Sequence, residues 1–267
     1  MTPMLLSKIK SIITHVAQQF KLFDETPKEG RPRKINNIDA LSLALYKQAS
    51  TRATKKSVYE DFKDVLNCSY KTLVVWMNKV AEVSLRLLYL IMQIGKRNQH
   101  LVKYTDSTDI PVCLTKNMDS HQTMKGLADI GHSTKGWYYG LKMTITRDHD
   151  GRLLNVKFTS PKTNDRNIFR EINKDIGGII VADAGYVSKK LEKDMNIEGK
   201  RWILIRAYKS MKKLATEWQL KLYAGRFRIE FDFRDMKLFH GLITSLPRSV
   251  DGYLANYLHT LVSFVIA

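Results

Sequence analysis

Three acidic residues stand where hard-cation chemistry could be assembled. Asp106 lies inside Val102-Lys-Tyr-Thr-Asp-Ser-Thr-Asp-Ile110, where polar side chains crowd a segment that reads as a half-buried strand. Asp183 follows the apolar run Gly178-Ile-Ile-Val-Ala182, at the C-terminal end of a buried strand, the usual place for a site in an α/β sheet. Glu230 belongs to a helical segment. At roughly 100° per residue, Tyr223, Arg226, Glu230 and Lys237 fall within about 60° of arc, while Asp232 and Asp235 point elsewhere. Carboxylates suit Mg2+ or Mn2+. Phosphoryl transfer between DNA strands calls for two such cations about 4 Å apart, one activating the attacking oxygen and one stabilising the leaving oxygen. An acid set among Arg226, Arg234 and Lys237 could hold a metal while its neighbours hold phosphate. Each position also has a plainer reading. An Asp at a strand end is commonly a turn former or cap, and an Arg/Glu/Lys helix face is commonly a solvated face of i, i+4 pairs. Their occurrence in order, on one strongly basic chain, favours the chemical reading. Asp109 competes with Asp106, but strand alternation sends the two to opposite faces, and Asp106 is the choice.

The elements that must position these acids change character along the chain. Up to about residue 98 the pattern is helical: Leu5, Ile9, Ile12, Val16 and Phe20 recur at helical spacing, and the charged loop Pro27 to Lys34 follows. A second helix starts at Asn36/Asn37, a third spans Thr54 to Leu66, and a long fourth runs from the Ser69 cap to Ile94. Strands are expected at Lys103–Ile110, Trp137–Arg147 and Leu153–Ser160, the last two joined by the turn Asp148-His-Asp-Gly151. A helix within Thr163–Asp175, strands at Gly178–Ala182 and Lys200–Ala207, and one long helix from Thr216 to His240 complete the pattern. The expected architecture is α/β, a ribonuclease H-like mixed sheet flanked by helices, with an all-helical N-terminal region. The division expected is 1–98 for a helical DNA-binding region and 99–267 for a catalytic domain. The apolar helix Tyr253–Ala267 stops abruptly; either it packs across the sheet or the natural protein continues.

The charge balance restricts the partner. Forty-four Lys and Arg against 26 Asp and Glu leave +18 over 267 residues, with a pI of about 9.8, which points to a polyanion. The basic residues are spread along the chain rather than gathered beside an anchor, favouring nucleic acid over a membrane surface. Cys68 and Cys113 lack metal-ligand spacing. The first apolar stretch, Met4 to Phe23, is interrupted by Lys8, Lys10 and His15, and the run Leu85–Ile94 contains Arg86 and is too short to span a bilayer. The expectation is a cytoplasmic protein without disulfides, membrane partner or small-molecule substrate. Trp137, Tyr138 and Tyr139 could stack an unpaired base, although aromatic residues in a central strand are more often core. His121 and His132 could assist in proton transfer, although lone histidines in polar loops are usually just solvated. Lys55 and Lys56, in the helix-turn-helix spacing around Ser50 to Lys56, could face phosphate or simply belong to packed helices.

The spacing Tyr223-x2-Arg226-x3-Glu230-x6-Lys237 resembles the Y-R-E-K signature of bacterial insertion-sequence transposases of the DDE type. Asp106-Ser-Thr-Asp-Ile-Pro-Val-Cys113 resembles the first acidic motif of one branch, the insertion sequence 982 family, and Asp183-Ala-Gly-Tyr186 is similar to its second, D-x-G-Y. The likeness continues through Gly136-Trp-Tyr-Tyr-Gly-Leu-Lys142 and Lys162-Thr-Asn-Asp165 and covers about Lys103 to Gly241. It implies Asp106, Asp183 and Glu230 as catalytic, metal-binding triad for two divalent ions, Mg2+ or Mn2+. It also implies Tyr223, Arg226 and Lys237, with Arg234 and Lys142 added from the basic surroundings, as DNA contacts. The activity implied is cleavage at transposon ends and transfer of the 3′-hydroxyl into target double-stranded DNA, by a homodimer on DNA. The alternatives are a ribonuclease H-like nuclease that never joins its products and a catalytically silent, transposon-derived DNA-binding protein.

Overall fold

A computed structural model describes residues 4–23, 33–50, 52–186, 188–205 and 216–267. The chain forms two compact units, one of residues 1–90 with 234–267 and the other of residues 91–233. Most of the Pro27–Lys34 loop and the end of the expected strand at Ala207 lie outside the described residues.

The first unit is helical. It contains α1 (Met4–Phe20), α2 (Asn37–Ala49), α3 (Lys55–Phe62), α4 (Tyr70–Lys79), the start of α5 (Ala81–Arg97) and α10 (Val250–Ile266). The local signals act as expected at three starts: Asn36, Thr54 and Ser69 each accept a hydrogen bond from a backbone amide in the first turn of the helix that follows. The expected fourth helix is two helices, because Val80 breaks the repeat with ψ near 0° between α4 and α5. α10 packs on α2 and α4, so the expectation that it lies across the sheet is corrected. The reason is its burial pattern: Tyr253, Ala255, Tyr257, Leu261 and Val262 are all buried and need an apolar partner along the whole helix, which α2 supplies with Leu41, Leu45 and Ala44.

The second unit is built on a mixed sheet of β1 (Val102–Cys113), β2 (Asp129–Ser133), β3 (Gly136–Asp148), β4 (Leu153–Thr159), β5 (Gly178–Ala182) and β6 (Arg201–Ile205). β1 is central. One edge pairs antiparallel with β3, and the other runs parallel to β5, which in turn pairs parallel with β6. The far edge of β3 takes β2 along its first half and β4 along its second. Apart from β2, whose short polar sequence carries little strand signal, this is the ribonuclease H-like order expected. Between the strands lie α6 (Asp165–Ile172) and α7 (Lys189–Gly199). Phe169 of α6 and Leu191 and Met195 of α7 close over Ile180, Ala182 and Ile203 of the sheet. Beneath, the buried hydroxyls of Thr105 and Thr146 stand 2.8 Å apart and each lies within hydrogen-bond reach of Asn173 Oδ1, at 3.2 and 2.9 Å; their two protons are shared over these three contacts, which tie β1 and β3 to the end of α6.

The segment 216–240 is not one helix. α8 (Glu217–Ala224) ends at Gly225, and α9 (Phe227–Leu238) begins after Arg226. Tyr104 decides which residue can stand at the break. A Cβ at position 225 would lie 2.2 Å from the Tyr104 hydroxyl, so only glycine lets the chain pass over that ring.

Candidate active site

Strand pairing brings two of the acids side by side. The parallel register matches Val102 with Ile179 and Tyr104 with Val181. Continued two residues past the paired segment, the same register would set Asp183, just beyond the C-terminal end of β5, beside Asp106 of β1, and the Asp183 charge does act on Asp106. These positions are 77 residues apart in the chain. The third acid arrives on α9, which is fastened to the sheet from behind: Arg147 of β3 contacts both carboxylate oxygens of Asp232 at 2.6 and 2.7 Å, and Arg228 donates to the His149 carbonyl at 3.0 Å. Asp232 therefore points away from Glu230, as the helical arc requires.

Arg226 joins the acids. Its guanidinium donates to Asp106 Oδ2 at 2.6 Å and to Glu230 Oε1 at 2.9 Å, Asp183 lies within electrostatic reach, and the Tyr223 ring stands 5.7 Å from the guanidinium carbon. The break at Gly225 leaves this i, i+4 link to Glu230 intact. Arg226 and Asp106 keep only 15% and 14% of their side-chain surface, whereas Glu230 is 44% exposed. Burial pushes the Asp106 carboxyl up from 3.8 to about 6; Arg226 and the Ser107 amide pull it down, and Asp183 and Glu230 push it up again.

Tyr186 is a residue to which the motif reading assigned no role. Its hydroxyl donates to Asp106 Oδ1 at 3.3 Å while its ring packs 5.7 Å from Phe169. Burial raises its phenol well above the ordinary range, keeping the proton available for donation. The signal was its place in Asp183-Ala-Gly-Tyr186: the 3-10 turn Ala184–Tyr186 returns the chain toward β1.

The remaining candidates are placed differently. Lys142 donates to the Thr163 carbonyl at 2.9 Å and pairs with Asp165, at the start of α6. Arg234 and Lys237 lie beyond Phe233 on α9, in the other unit, where Arg234 stands 3.7 Å from Asp235. Of the three aromatic residues, Tyr138 is buried but Trp137 is 67% exposed and meets His132 edge-on at 5.0 Å, which overturns the core reading for Trp137. It sits at the start of β3, in the hairpin with β2. Lys55 bonds to Asn78 rather than facing solvent, and exposed Lys56 pairs with Glu60.

Among the described residues no three His, Cys, Asp or Glu side chains stand as a ready metal-ligand group. The donor set nevertheless fits divalent cations. It consists of hard carboxylate oxygens, and the raised Asp106 carboxyl shows that Arg226 alone does not offset the burial and mutual repulsion of the acids. Asp106, Asp183 and Glu230 are the residues that would hold such ions.

Among the described residues no helix is long and apolar enough to cross a membrane. Comparison with curated proteins returned no match. Among solved structures the chain is similar to a Mos1 transposase paired-end complex with left transposon end, at 11% identity and a TM-score of 0.29 over 95% of this chain and 85% of that one. It is also similar to a Mos1 mariner paired end complex with Mn, at 12% identity and a TM-score of 0.27 over 93% and 83%. Likeness at that level carries no weight for function. The sequence model of the transposase DDE domain is different in kind: it matches residues 96–245, a span containing all three acids, Tyr186 and Arg226. Because that match extends over more than half of its length, the chain belongs to the transposase DDE domain family.

Proposed function

We propose that the protein is a DNA transposase that cleaves at transposon ends and transfers the resulting 3′-hydroxyl into target double-stranded DNA, with Asp106, Asp183 and Glu230 as its catalytic acids. The observation that carries this reading is the meeting of Asp106 and Glu230 on one guanidinium, with Asp183 in the adjoining strand position, inside a transposase DDE domain. The Y-R-E-K spacing of Tyr223, Arg226, Glu230 and Lys237 supports a bacterial insertion-sequence enzyme, and the resemblance of Asp106–Cys113 to the first acidic motif of the 982 family supports that branch. Two divalent ions, Mg2+ or Mn2+, would be held by the three acids and would supply activation of the attacking oxygen and stabilisation of the leaving one.

The chain's own residues do the rest. Tyr186 and the Ser107 amide, both bonded to Asp106 Oδ1, fix that carboxylate so that its other oxygen faces Arg226. Arg226 holds the acids together before DNA arrives and, once freed, presents a two-pronged donor suited to a phosphodiester. Tyr223, against the guanidinium, limits where it can swing. The +18 charge supplies salt-sensitive affinity for the DNA backbone. Lys237, Arg234 and Lys142 are assigned as further DNA contacts, the helical region 1–98 as the reader of the element ends, and a homodimer as the working form, because two ends are processed together.

The test is incubation with labelled element ends, a target plasmid and Mg2+. Joined products are expected. Cleaved but never joined products would replace this reading with that of a nuclease, and absence of both, with DNA still bound, would leave a silent DNA-binding protein.

A further inference from the structure

The helical unit buries a cation, Lys47, that no acid among the described residues balances. α2 is buried from Ala40 to Gln48, nine of its 13 residues, and among these mostly apolar positions is Lys47, at 8% exposure. Among the described residues its ammonium meets only neutral acceptors, Gln48 Oε1 at 2.9 Å and Asn256 Oδ1 at 3.2 Å. Those amides are themselves committed: Gln48 Nε2 donates to the Asn256 carbonyl and side-chain oxygens and to Thr260, and Asn256 Nδ2 donates to the Gly241 carbonyl. Lys55 is held in the same way by Asn78 and lies near enough to Lys47 for the two charges to repel. Burial lowers both lysines to about 8. Nearby His259 is kept neutral, buried between Ser84 and the Met77 carbonyl. The last carbonyls of α2 offset part of the Lys47 charge, but only as a partial dipole.

A buried cation without a counter-charge destabilises the fold, and an apolar residue of similar length would serve the packing better. Lys47 also lines a cavity of about 280 Å3, open to solvent, whose wall includes Gln48, Arg52, Gly241, Thr244 and Ser245. Arg52, also in the wall, pairs with Asp61 at 3.0 Å, whereas Lys47 has no acidic partner among the described residues. The hydroxyls of Thr244 and Ser245 add donors suited to an anion. Gly241, with φ of +63° and a Cβ position 3.2 Å from Gln48 Oε1, lets the 241–246 loop turn tightly over the end of α2.

We propose that this cavity is a phosphate site: a backbone phosphate of bound DNA enters it and supplies the negative charge that Lys47 lacks. The site rests on the DNA-binding reading given above but lies apart in the chain from the three acids. It makes Lys47 a binding residue retained at the expense of stability rather than a core residue.

Lys47→Met separates the two roles because its effects run in opposite directions. The full-length variant is expected to unfold at equal or higher urea concentration than the wild type. It should bind duplex DNA about tenfold more weakly, and its plot of log affinity against log salt should be shallower by roughly 0.9, the loss of one phosphate contact. Lys47→Arg should retain most of the affinity and the slope. Unchanged affinity and slope in Lys47→Met would overturn the site, and so would lower stability with unchanged affinity. Should that variant fail to fold, amine acetylation of the wild type followed by mass spectrometry decides. Protection of Lys47 by duplex DNA supports the site; protection by inorganic phosphate but not DNA, or by neither, overturns it. If the wild type binds no DNA, the transposase reading itself fails, whereas a wild type that binds and joins DNA with an indifferent Lys47→Met refutes this site alone.

Discussion

The crowding of acids around Asp106 makes a quantitative demand on stability. Its carboxyl titrates at about 6 in the folded chain against 3.8 for the ordinary group, a difference of about two units. At 1.36 kcal/mol per unit, ionising Asp106 costs the metal-free fold about 3 kcal/mol. The sign follows from the raised value. Below about pH 4 both folded and unfolded forms carry the proton and nothing is lost. Between about 4 and 6 the unfolded chain releases its proton first, so stability falls as pH rises, and above about 6 the loss is complete. Asp106→Asn removes the titration while keeping a neutral side chain of the same shape. In chelator, the stability of the variant minus that of the wild type should therefore grow from near zero at pH 4 to about 3 kcal/mol at pH 7. Urea unfolding read by tryptophan fluorescence is the assay, since Trp137, Trp202 and Trp218 all lie in the sheet unit. Added Mn2+ should raise the wild type and leave Asp106→Asn unmoved. A difference that stays flat across this pH range, or a variant less stable than the wild type at pH 7, would refute the account of the site as charge-frustrated.

Other substitutions test the supports. Gly225→Ala sets a methyl against the Tyr104 hydroxyl and should cost about 1–3 kcal/mol of stability, measured by denaturation, with partial recovery in Tyr104→Phe. Asp232→Ala leaves the half-buried Arg147 without its acid and frees α9 from β3; about 2–3 kcal/mol should be lost, and cleavage should fall further than stability explains. Tyr186→Phe keeps the packing on Phe169 but removes the donor to Asp106, with an expected cost of about 1 kcal/mol and slower cleavage at unchanged DNA affinity. Trp137→Ala, at an exposed position, should leave the unfolding midpoint within about 0.5 kcal/mol of wild type, and a larger loss would return Trp137 to the core.

What the sequence determined on its own is everything carried by neighbours along the chain. Helix starts at Asn36, Thr54 and Ser69, the change from helical to alternating pattern near residue 100, and the apolar strand ending at Asp183 all follow from capping and periodicity. The order of elements was enough to reach a ribonuclease H-like sheet. The short polar β2 was not legible, because five residues of Asp129-Ile-Gly-His-Ser133 acquire strand geometry only from the edge of β3. Tertiary structure alone decided the rest. Whether Asp183 stands beside Asp106 depends on the register between β1 and β5, and a shift of one residue would have turned the two acids to opposite faces. The need for glycine at 225 comes from a tyrosine more than a hundred residues away, and Arg226 meets Asp106 across 120 positions of the chain. Lys47 reads in sequence as a surface lysine near the end of a helix; it is buried because α10, some two hundred residues later, covers it. Such contacts join residues whose separation along the chain leaves no local pattern, so they exist only once the chain has folded.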